Sequence, residues 1–147
     1  MMKNHIFGVL LSLIAVNACA APEHIKQVTF PKAMIEIADV KRAVQLADTP
    51  ELRERGFMFQ QSAEPGMLLL YPQPQFISLW MRNTDLALDV AFIDPQWRII
   101  AIKQLHPLDE TPVSAPSAGR GALEMPRNWF AERNIKVGDK ITVTVVR

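Results

Sequence analysis

Apolar and polar positions along the chain alternate in short runs with a period of two, the spacing that puts successive side chains on opposite faces of a strand. Residues 34–40 (MIEIADV) interleave apolar side chains with Glu36 and Asp39, and Val44-Gln45-Leu46-Ala47 alternates strictly, which predicts two strands joined as a hairpin. Two continuous apolar runs follow. Residues 66–71 end at Pro72 and Pro74, and residues 76–81 end at Arg82-Asn83-Thr84-Asp85; both predict strands covered on two faces. Residues 88–93 and 98–102 flank Asp94-Pro95-Gln96-Trp97, a turn with proline in its favoured second place, and so predict another hairpin. A short strand at 122–125 and a closing strand at 141–146 complete the pattern.

Helical signals are few. Thr49 can cap a helix, Pro50 suits its first position, Glu51 complements the positive end of its dipole and Gly56 can end it, so about two turns are expected between them. Residues 126–134 predict a second short helix, and residues 106–119, rich in Pro, Ser and Thr, a long surface loop. About eight short strands, two short helices and no long βαβ pattern give a mainly β fold, a single-domain β-barrel or β-sandwich over residues 34–147.

The N-terminal segment does not follow this pattern. Lys3, an apolar stretch at 6–16 and small residues at Ala18 and Ala20 form the arrangement of a signal peptide over residues 1–20. Eleven residues at about 1.5 Å each fall well short of a hydrocarbon core of about 30 Å. Residues 21–33 carry no period and are expected to be a linker. Cys19, the sole cysteine, has two alternative fates. Cleavage after Ala20 discards it and gives a soluble exported or periplasmic domain. Alternatively Val16-Asn17-Ala18-Cys19 resembles a lipobox, although Val16 and Asn17 fit it poorly, and lipidation at Cys19 would anchor the protein to the membrane. Either outcome leaves no cysteine pair, which suits an oxidising compartment and excludes thiol catalysis and a cysteine-based zinc site.

Composition narrows the class further. About 127 residues remain after the leader, enough to bury roughly two-thirds of the surface exposed on unfolding, and 49% of the whole sequence is hydrophobic. The formal charge of +1 comes from 16 basic and 15 acidic residues mixed along the chain. No basic stripe marks a nucleic-acid or anionic-membrane surface. No phosphate-cradling glycine loop and no Gly-x-Ser-x-Gly elbow is present. No cofactor or metal is implied: His106 beside Asp109 and Glu110 reads as a solvated loop.

A series of motifs carries a resemblance. Arg53-Glu54-Arg55-Gly56-Phe57-Met58, Gly66-Met67-Leu68, Trp80-Met81-Arg82-Asn83-Thr84, residues 88–94 (LDVAFID), Ala122-Leu123-Glu124 and Gly138-Asp139 together resemble the prokaryotic "domain of unknown function 192" family, across residues 35–146. The resemblance implies a mainly β fold and frequent export, and no mechanism. Two departures stand out: Gln60-Gln61 occupy a place where that family commonly has arginine, and Gln96-Trp97 replace an expected hairpin glycine.

Candidate chemistry lies at polar groups embedded in apolar strands. Trp80 and Arg82 would share one strand face, an aromatic platform and a guanidinium suited to a sugar ring or an anionic group, with Met81 and Asn83 on the other. Asp89 and Glu124 each interrupt an apolar run, where a carboxylate must be paired, hydrogen-bonded or protonated. The leading expectation is a non-catalytic exported module that binds a small polar ligand, an envelope polymer or an envelope protein through Trp80, Arg82, Asn83, Asp89 and Glu124, with Arg53 as a further contact. Two alternatives stay open. One is an envelope hydrolase using Asp89 and Glu124 as its acid–base pair; the other is a purely structural role, with the two acids paired to Arg53, Arg55, Arg82 or Arg120.

Overall fold

A computed structural model describes residues 28–146. The leader, most of the expected linker and the Cys19 alternatives lie outside the described residues. Nine strands and two helices are formed among those described: β1 (Lys32–Ile37), β2 (Val40–Ala47), α1 (Pro50–Arg55), β3 (Met67–Gln75), β4 (Ser78–Leu79), β5 (Leu88–Ile93), β6 (Ile99–Leu105), β7 (Val113–Ser114), β8 (Gly119–Pro126), α2 (Trp129–Glu132) and β9 (Ile141–Val146). Seven strands make one curled, half-barrel sheet in the order β6-β5-β8-β3-β2-β1-β9, and β4 pairs with β7 in a two-stranded ribbon. The mainly β expectation holds, with closure reaching only half a barrel.

Local sequence accounts for several elements directly. The β1–β2 hairpin turns at Ala38-Asp39, the β5–β6 hairpin turns at residues 94–97, and β5 and β9 match the apolar runs that predict them. In the second turn Trp97 adopts φ 63°, a left-handed conformation that glycine takes without strain. Its indole packs against the core, and the Arg120 guanidinium lies 4.8 Å from its ring centroid.

Three features depart from the sequence-based expectation. First, β2 and β3 pair in parallel, Leu46 opposite Leu68, so α1 and the segment after it form a crossover connection. Second, β3 runs on through Pro72 and Pro74 because its far half is exposed and its pairing to β8 shifts register between Leu70 and Gln75; a bulged, open stretch tolerates residues without an N–H. Third, residues 76–81 are not a strand covered on both faces. Burial alternates there, with Ile77, Leu79 and Met81 inside and Phe76, Ser78 and Trp80 outside, and only Ser78–Leu79 pairs as strand.

Both faces of the central strands are buried. Ile35, Leu46, Leu68, Ile93, Leu123 and Met125 line one side with Trp129 and Phe130 of α2. Met67, Leu69, Val90, Phe92 and Ala122 line the other, beneath Phe57 from the crossover and the segment that holds β4. Strands β8 and β3 approach closely at Gly121, where an added Cβ would lie 2.9 Å from the Leu69 carbonyl oxygen. Gly121→Ala is therefore expected to destabilise the fold by about 1–3 kcal/mol, as overpacking does elsewhere. Denaturant unfolding measures it, and a loss below about 0.5 kcal/mol would mean that the strands part freely there.

Candidate functional site

The crossover between β2 and β3 builds one wall of a cleft. Thr49 caps α1, its hydroxyl accepting from the Leu52 N–H at 3.2 Å, and Gly56 ends the helix with φ 46° while its N–H donates to the Leu52 carbonyl. This short helix carries Arg53 and Arg55, both of which line the cleft. Arg53 Nη1 donates to the Leu70 carbonyl at 2.8 Å, and its guanidinium lies 4.6 Å from the Tyr71 ring centroid. Arg55 lies 5.0 Å from the Phe59 ring centroid. The Phe59 N–H donates to the Asn83 carbonyl at 2.9 Å, tying the crossover to the loop that carries Trp80.

The cleft between these segments has a volume of about 220 Å³, and Arg53, Phe57, Tyr71, Leu79, Trp80 and Glu124 are among its lining residues. Glu124 is 6% exposed. Among the described residues no side chain pairs with its carboxyl group, and burial pushes its pKa up to about 7. Burial also raises the Tyr71 phenol; the Arg53 charge opposes that rise and Glu124 adds to it. The cleft thus has an unpaired acid at its floor, apolar sides, and an aromatic and a basic rim.

Trp80 is 45% exposed at the rim, and the Arg82 guanidinium lies 5.5 Å from its ring centroid. The two pair as an aromatic and a cation even though neither is in a strand. Residues 82–84 form a turn instead: Asn83 has φ 53°, and the Thr84 hydroxyl donates to the Arg82 carbonyl at 3.1 Å. Met81 is buried in the core. Arg82 and Asn83 line an adjoining depression rather than the cleft itself, and Trp80 borders both.

Asp89 occupies a different place. In the antiparallel pairing of β5 and β8, Val90 stands opposite Glu124 and Asp89 opposite Met125. Paired residues share a face and neighbours alternate, so Asp89 and Glu124 project from opposite sides of the sheet. The two carboxylates weighed as an alternative acid–base pair are therefore not brought together. Asp89 Oδ2 accepts from the Asn128 N–H at 2.8 Å, and Oδ1 lies 3.1 Å from Arg127 Nε, off the line a hydrogen bond needs but close enough for a strong coulombic attraction. Arg127 also donates to the Leu105 carbonyl at 2.8 Å. The partner of Asp89 is thus Arg127, which is none of the four arginines weighed from sequence.

Sequence reasoning also missed Tyr71. Its only signal was its position as the polar-tipped end of an apolar run. At Gln60, where the resemblance leads one to expect arginine, the side-chain amide exchanges hydrogen bonds with that of Gln45 at 3.0 and 3.2 Å, so this position closes the crossover onto β2.

Two solved structures share this architecture. A chain from Sinorhizobium meliloti 1021, described as a candidate transcription regulator, superposes with a TM-score of 0.75 at 26% identity, over 80% of this chain and 97% of that one. A protein of unknown function from Novosphingobium aromaticivorans DSM 12444 gives 0.69 at 28% identity, over 89% of this chain and 98% of the other. No curated protein matches the sequence. The family model of DUF192, described as an uncharacterized ACR, matches residues 33–143, and with those residues spanning nearly all of the described fold, the chain belongs to the DUF192 family.

Proposed function

We propose that the protein is an exported, non-catalytic module that binds a small polar ligand in the cleft between the β2–β3 crossover and the central sheet. One observation carries the reading: Glu124 is a carboxyl group kept 6% exposed with no side-chain partner among the described residues, facing an open cleft. A core position would be better filled by an apolar residue, because burying an unpaired carboxyl costs stability. A ligand that completes its hydrogen bonds accounts for its presence. Arg53 and Trp80 line the same cleft and supply a charge and a platform; Arg82 and Asn83 extend the surface outward. Asp89 holds the opposite side of the sheet in shape. The leader pattern at residues 1–20 supports export, with Cys19 as the residue a lipid anchor would use.

A thermal-shift series on the purified protein tests this, with sugars, small carboxylates, phosphates, amino compounds and soluble envelope fragments. A ligand at about a hundred times its dissociation constant adds roughly 2.7 kcal/mol of stability. The expected result is a shift of several degrees for one class, lost in Glu124→Gln and reduced in Trp80→Ala. Equal shifts in the protein and in Glu124→Gln would remove the cleft from the function, and no shift with any compound would remove the reading itself.

A further inference from the structure

The cleft itself distinguishes between ligand chemistries. An anion placed in it would meet the Glu124 carboxyl group at the floor, and the arginines there already have partners. Arg53 is tied to the Leu70 carbonyl and stacked on Tyr71, and Arg55 lies over Phe59. A polyol would leave unbonded whichever hydroxyl groups it turned toward Phe57, Met58, Leu69 and Leu79. The cleft lining offers two carboxylates, Glu124 and Glu54, short of the six or more oxygen ligands a calcium ion takes, and no group of three metal-binding side chains occurs among the described residues. A donor bearing a full positive charge matches the floor best, since a charge-assisted hydrogen bond to a carboxylate is roughly twice as strong as a neutral one.

We infer that the cleft receives a primary ammonium group on the Glu124 carboxylate and an apolar side chain of the same ligand against Phe57, Met58, Leu69 and Leu79. The ligand class is then an α-amino compound with an apolar side chain, either a free amino acid or a peptide amino terminus. This rests on the binding-module reading above and adds the ligand's chemistry to it. Trp80 and Tyr71 line the same cleft, and their aromatic faces add attraction for a cation entering it. The titratable and charged groups lining the cleft besides Glu124 are Tyr71 from β3 and Arg53, Glu54 and Arg55 from α1, with no histidine among them. Pairing an ammonium with Glu124 therefore expels the proton that the buried carboxyl group carries below about pH 7.

Titration calorimetry on the full-length protein with leucine, leucinamide and N-acetylleucine provides the test. Leucine or leucinamide is expected to bind, with N-acetylleucine about 10- to 100-fold weaker. Glu124→Gln should weaken the amine by a similar factor. At about pH 6 binding to the protein should release a proton, detected by repeating the titration in buffers of different ionisation enthalpy, and binding to Glu124→Gln should release none. Leucine tighter than leucinamide identifies a free amino acid, and the reverse a peptide amino terminus. N-acetylleucine binding as tightly as leucinamide, or Glu124→Gln binding the amine unchanged, overturns the inference. If a sugar or an anion shifts the melting temperature while no amine binds, the inference fails and the binding module stands; if nothing binds in either experiment, both fail.

Discussion

Glu124→Gln is expected to make the protein more stable at pH 8 by about 3 kcal/mol and to leave its stability nearly unchanged at pH 4. The carboxyl group titrates near 4.5 when the chain is unfolded and near 7 when it is folded, because burial disfavours its charged form. Its folded pKa is raised, so the folded state holds the proton more tightly. The contribution to stability is complete below about pH 4.5 and is lost as the pH rises through about 7. Each pKa unit is worth about 1.4 kcal/mol, which sets the size of the loss. Glutamine keeps the shape of the neutral acid and does not titrate. Glu51 and Asp109, held below the usual carboxylate range chiefly by backbone N–H groups, contribute with the opposite sign, but they do so in both proteins, and the difference between the two unfolding curves isolates Glu124. Urea unfolding at several pH values from 4 to 8 reads it directly. Parallel curves would mean that the carboxyl group is solvated in the cleft.

The second large effect lies on the other side of the sheet. Arg127→Met is expected to destabilise the fold by about 3–5 kcal/mol, since it leaves the Asp89 carboxylate, 7% exposed, without its counter-charge. For a domain of this size that is a fall of about 10 °C or more in melting temperature. The Asn128 N–H still reaches Oδ2, so Asp89 retains one hydrogen bond and the corner before α2 keeps its outline. Combining Arg127→Met with Asp89→Asn should restore part of the loss, because the second change removes the charge left behind; this coupling is the signature of a direct pair. A loss under 1 kcal/mol in the single variant would show that the backbone contact alone sustains Asp89.

These two carboxylates also mark what could be read from the sequence. Each was recognisable as a polar intruder in an apolar strand, and each is buried. Their separation was not recognisable, because whether two residues on different strands share a face depends on a register fixed by long-range pairing, and a shift of one residue reverses the answer. The same holds for the parallel contact of β2 with β3. Its two strands and the capped helix between them are visible locally, in Val44-Gln45-Leu46-Ala47, Thr49-Pro50 and Gly66-Met67-Leu68, but their spatial order is set by the whole sheet. Trp80 and Arg82 do lie together, although the expected strand gives way to a turn at Asn83. Arg127 carried no signal: an arginine after a proline at a strand end looks like any solvated loop residue, and only its contact with Asp89 distinguishes it. For the outer elements the local pattern was sufficient. The alternation and bounding turns of residues 88–93 and 141–146 correspond to β5 and β9.

The position of β1 between β2 and β9 places the opening strand of the fold beside its last one, with Ala33 opposite Val145. That contact spans almost the whole of the described fold, so the sheet cannot finish until its last strand has been synthesised and the two have met. High contact order of this kind slows folding to milliseconds or longer and leaves β1 half-paired while the ribosome still holds the C-terminus. Under the export proposed above, that delay would serve the chain, because the native state that would block translocation stays out of reach until the last strand has been made.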